Sequence, residues 1–192
     1  MSTFETRRLG IMATKTMRAC ALAALLSPSL ALAASSGHSL KESLSFVRAN
    51  LAAQGLITYV VSTHDTATGQ SWSNTMTGEA SNVTMDVAKC RISFHWVTSV
   101  DGGGKQNLDQ WIDFAKGRKV TVVNREQELR GQVADGGHPS WVSTVSPPLW
   151  VVTVTLSDTS SVMDFTNQNV AERVTRAIDN IMDLCGAQKE DF

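Results

Sequence analysis

Apolar and polar positions alternate most regularly along residues 90–100, CRISFHWVTSV. One row is Cys90, Ile92, Phe94, Trp96, Thr98 and Val100; the other is Arg91, Ser93, His95, Val97 and Ser99. A period of two sets one row on a core and the other toward water, so the segment predicts a half-buried strand. Strand-like runs lie on both sides of it. Residues 56–63 and 70–77 are separated by the turn DTATG at 65–69, and residues 79–82 read as a loop. The Asp101-Gly-Gly-Gly stretch predicts a hairpin turn, followed by short strands over 108–114 and 118–123. Residues 141–145 give another, stopped by Pro147 and Pro148. Residues 149–156 are almost unbroken in apolar and β-branched side chains, which suits a central strand or one packed on both faces. A last strand is predicted over 161–165.

The period changes to 3.6 at both ends of this run. Leu40, Leu44, Val47 and Leu51 recur behind the capping box Ser39-x-x-Glu42 and stop before Gly55, predicting a helix over 39–54. Val170, Val174, Ala177, Ile178, Ile181 and Cys185 form one stripe between a cap at Asn169 and the stop at Gly186, predicting a helix over 169–185. Residues 124–141 show neither period. EQELR at 126–130 fits a helical turn and DGGHP at 135–139 a loop, and long loops are where binding surfaces concentrate.

A run of strands followed by a helix, without strand–helix alternation, excludes a doubly wound parallel sheet. The expectation is an α+β domain: a bent antiparallel sheet or partly open β-roll of about six to eight strands within 56–165, with an N-terminal helix and a C-terminal capping helix. In element order alone, over residues 56–186, this resembles a pleckstrin-homology type of roll. The basic loop that phosphoinositide binding needs is absent from the chain, so the resemblance implies a fold and no lipid ligand.

Arg7, Arg8, Lys15 and Arg18 precede an apolar run that ends Ala31-Leu32-Ala33. A basic region, a short apolar region and an A-x-A site predict a secretory signal peptide over 1–33, cleaved after Ala33, leaving one globular domain over 34–192 in the periplasm or outside the cell. The full chain has 17 basic and 18 acidic residues; losing four basic and one acidic leaves 13 and 17, a net charge of −4. That balance argues against nucleic acid as a partner, and no membrane anchor is expected after cleavage. Cys20 leaves with the signal peptide, so Cys90 and Cys185 remain and are expected to form one disulfide; two reduced, buried thiols are the alternative.

Candidate chemistry is sparse. His38, His64, His95 and His138 show no metal-ligand spacing, and no nucleophile elbow, phosphate loop or dinucleotide motif occurs. No catalytic residue, metal or cofactor is implied. Five tryptophans against one tyrosine is the more suggestive feature. Trp111 and Trp141 flank the irregular region and, with His138, are the expected binding residues. The leading expectation is therefore a non-enzymatic exported domain acting through protein–protein contact, as an envelope accessory or an inhibitor or immunity-type protein. The alternatives are a small-ligand or carbohydrate-binding module using Trp111, Trp141 and His138, and a hydrolase using His95 and His138.

Overall fold

The computed structural model describes residues 38–188; the expected signal peptide lies outside them. The elements in chain order are α1 (Leu40–Ala53), β1 (Leu56–Asp65), β2 (Ser71–Asp86), β3 (Arg91–Val100), β4 (Lys105–Asp113), β5 (Gly117–Asn124), α2 (Arg125–Asp135), β6 (Trp141–Ser146), β7 (Trp150–Leu156), β8 (Ser160–Phe165) and α3 (Gln168–Leu184). A larger antiparallel sheet has the order β4-β3-β2-β1-β6, and a smaller one the order β5-β7-β8. The class is α+β, with helices at both ends of the strand series as the periodicity implies.

The first helix is capped as its sequence dictates. Ser39 Oγ accepts from the Glu42 amide at 3.3 Å while Glu42 Oε2 accepts from the Ser39 amide at 2.8 Å. That backbone bond, with the Ser39 hydroxyl, holds the Glu42 carboxyl below its ordinary range. Leu44, Val47 and Leu51 point into a core that both sheets share. Ala80, Ile92, Phe94 and Ile112 come to it from the larger sheet, and Val152, Val154, Met163 and Phe165 from the smaller one. Val174, Ile178, Ile181 and Met182 of α3 close it. Val151 and Val152 are both fully buried, so β7 is a central strand covered on its two faces at that end.

Four local expectations are corrected. Residues 79–82 are not a loop: β2 runs on for 16 residues, with a register shift between Ser81 and Thr84. Asn82 turns left-handed there (φ 52°), and the bulge interrupts the period of two along the strand. Residues 125–135 form a helix although their pattern is almost wholly polar, because side chains tie it down from outside: Glu126 Oε1 accepts from the Val145 amide at 2.9 Å, and Arg125 reaches Asp164. The last helix begins earlier, capped by Asn167 accepting from the Val170 amide, and ends at Leu184 rather than 185. Cys90 belongs to a left-handed turn (φ 50°) just before β3 and not to the strand.

The Cys90 and Cys185 sulfurs are bonded, across a sequence separation of 95 and a Cα–Cα distance of 6.1 Å. The bond fastens the turn before β3 to the end of α3, the larger sheet to the helix that covers the smaller one.

Candidate functional site

The three residues expected to form a binding surface fall into two places. Trp141 opens β6, and His138, from the turn after α2, stacks on it with ring centroids 4.0 Å apart and planes 11° from parallel. Trp72 meets Trp141 edge-on at 4.9 Å. Pairing of Trp72 with Thr63, and of Trp141 with Asp65, puts both indoles on the side of the sheet that carries Ile57 and Tyr59. One face of Trp141 is thus taken by His138, and the cluster, in which Trp72 and His138 stay exposed, lies at the end of β1, β2 and β6. Trp111 stands elsewhere. It lies on β4, at the opposite edge, four strand positions or about 19 Å from β6, and on the face turned away from the core. A joint site made of Trp111, Trp141 and His138 does not form.

That outward face is polar. His95 Nδ1 lies 2.9 Å from Asp109 Oδ1, His64 Nδ1 lies 2.9 Å from Ser71 Oγ, and the hydroxyls of Thr77 and Ser99 meet at 2.7 Å. His64, His95 and His138 sit at separate positions. Among the described residues no group of three or more His, Cys, Asp or Glu side chains could hold a metal ion.

The edge around Trp111 has the most unusual composition. Among the described residues β4 pairs with β3 alone, so its other side is a free strand edge. Leu108 and Trp111 are large apolar side chains left 48% and 58% exposed. Asp109 and Asp113 flank Trp111 at the two alternate positions of the same face. Asp113 is tied to Arg91 at 3.4 Å, whereas the Asp109 side chain is 90% exposed and its partner, His95, carries charge only when protonated. Along this edge runs a groove of about 360 Å³, bounded by Asp109, Trp111 and Asp113 on one side and by Lys116, Asp158 and Ser160 on the other. Lys116 and Asp158 approach to 3.8 Å. The sequence carries the D-x-W-x-D alternation in plain view, but nothing local says that this strand is an edge.

A second group of charges is buried. Arg125, from the first residue of α2, binds Glu128 at 2.6 Å and Asp164 of β8, with side chains 15% and 8% exposed for Arg125 and Asp164. Burial opposes the charge of Arg125, but Asp164 and Glu128 outweigh it and raise the guanidinium above its ordinary value. Tyr59 of β1 is raised by burial and then by Asp164. The cluster joins β1, β8 and α2, and its geometry is that of a fastening between layers.

Comparisons with protein-family models, with curated proteins and with solved structures return no match.

Proposed function

We propose that this chain is an exported domain that works by contact with a protein partner in the periplasm or outside the cell. The observation that carries the reading is the free edge of β4, where Leu108 and Trp111 are exposed beside unpaired main-chain positions. A strand edge of this kind is a ready template for pairing with another chain, and aromatic anchors dominate the energetics of such contacts. The Cys90–Cys185 bond supports an oxidising compartment, since such bonds are rare in the cytosol. Among the described residues no helix is long and apolar enough to cross a membrane. Net acidity after loss of residues 1–33 disfavours nucleic acid and anionic lipid as partners.

Affinity capture from the native envelope and growth medium tests the reading. Wild-type protein is expected to retain a defined polypeptide that Leu108→Ala/Trp111→Ala protein releases. Retention of no polypeptide would overturn protein contact as the function.

A further inference from the structure

Resting on that reading, we propose that the occupant of the β4 edge is an extended, basic segment of the partner, added as a further antiparallel strand with arginine or lysine at alternate positions. An added strand places its side chains directly opposite those of β4, so one row of the newcomer faces Asp109, Trp111 and Asp113 together. Two carboxylates bracketing an exposed indole accommodate cations: a guanidinium lies flat on the ring and its neighbours meet the carboxylates. Asp158 adds a third carboxylate from the far wall of the groove; Arg91 on Asp113 and Lys116 on Asp158 offset two of the three, and the exposed Asp109 carries the surplus negative charge. The groove is therefore negative where the incoming strand must be positive.

The same charges count against the simplest competitor, a second copy of this chain paired in register about Trp111. Antiparallel self-pairing centred on Trp111 would set Asp109 of each copy opposite Asp113 of the other, and like charges opposed across a strand pair are destabilising. Charged residues are a standing device for keeping sheet edges from pairing with themselves. Here the sign of the charge also selects the partner.

The probe is a capped peptide of alternating arginine and valine, about seven residues long, near the usual strand length. One control carries methyl groups on alternate amide nitrogens; the other has glutamate in place of arginine. With the arginine peptide, backbone amides of β4 should gain protection from hydrogen exchange, and neither control should produce that gain. Trp111→Ala and Asp109→Asn should each weaken binding about three- to fivefold, the size expected of an exposed cation–π contact or ion pair, with unchanged melting temperature. Rising salt should weaken it further. Equal binding of the methylated peptide, or protection gained away from β4, would overturn the proposal. Equal binding by the Asp109→Asn/Asp158→Asn variant would do the same. A captured partner that still depends on Leu108 and Trp111, together with a failed peptide, would leave protein contact standing and remove only the basic strand.

Discussion

A methyl group at Gly78 would lie 2.9 Å from the six-membered ring of Trp96, because the indole crosses the neighbouring strand directly over that glycine. Gly78 is therefore set by its neighbour's bulk, and Gly78→Ala should cost about 1–3 kcal/mol in urea unfolding as the indole is displaced. Asp65 makes a different kind of contribution at the same scale. Its carboxylate accepts from the hydroxyls of Ser140 and Thr68 and from the Ala67 amide, which lower it to about 2. The stability tied to that ionisation is complete above the unfolded value near 3.8 and is lost as pH falls toward 2. Melting temperature measured between pH 5 and 2 should accordingly fall less steeply for Asp65→Asn than for wild type. Equal slopes would show that the bonds around the β1–β2 turn do not depend on the charge.

At the scale of elements, α2 shows how a polar sequence is held in a helix by groups outside it. Its own apolar stripe is thin, so Arg125 is the residue on which its attachment to β8 turns. Arg125→Met should leave Asp164 buried without its counter-charge and cost about 3–5 kcal/mol. The double variant Arg125→Met/Asp164→Leu should recover most of that loss, since a buried ion pair is readily replaced by apolar groups of similar volume. Denaturation of the two variants side by side separates a fastening from a mere surface ion pair, for which both effects would be close to zero. The helices α1 and α3 are held differently. Their stripes are wide, their caps are local, and both were readable as helices from periodicity alone.

For the whole molecule the decisive bond is Cys90–Cys185. It closes a loop of 95 residues, and in the chain-entropy model that restricts the unfolded chain by about 4.7 kcal/mol. Reduction, or Cys90→Ser/Cys185→Ser, should lower unfolding free energy by that order while leaving the native sheets in place. Non-reducing peptide mapping should recover Cys90 and Cys185 in one linked pair. The bond adds to the shared core by tying the start of β3 to the helix that lies on β5 and β7.

The sequence by itself determined what periodicity and local chemistry can encode. Leu44, Val47 and Leu51 behind Ser39 dictate α1, alternation around Phe94 dictates β3, and the count of cysteines beyond residue 33 points to the Cys90–Cys185 pairing. These features depend on neighbours a few residues away, or on a count. Tertiary structure alone decided the rest. Whether residues 79–82 continue a strand depends on a bulge paired across to β3, and whether residues 125–135 are helical depends on Asp164 and Val145, both far along the chain. That Trp141 is covered by His138 while Trp111 stands free depends on which sheet face each indole takes and on what packs there, since β4 and β6 are both edge strands. Exposure of one aromatic residue rather than another is a matter of strand register and of which face the core covers, and no window of sequence contains either.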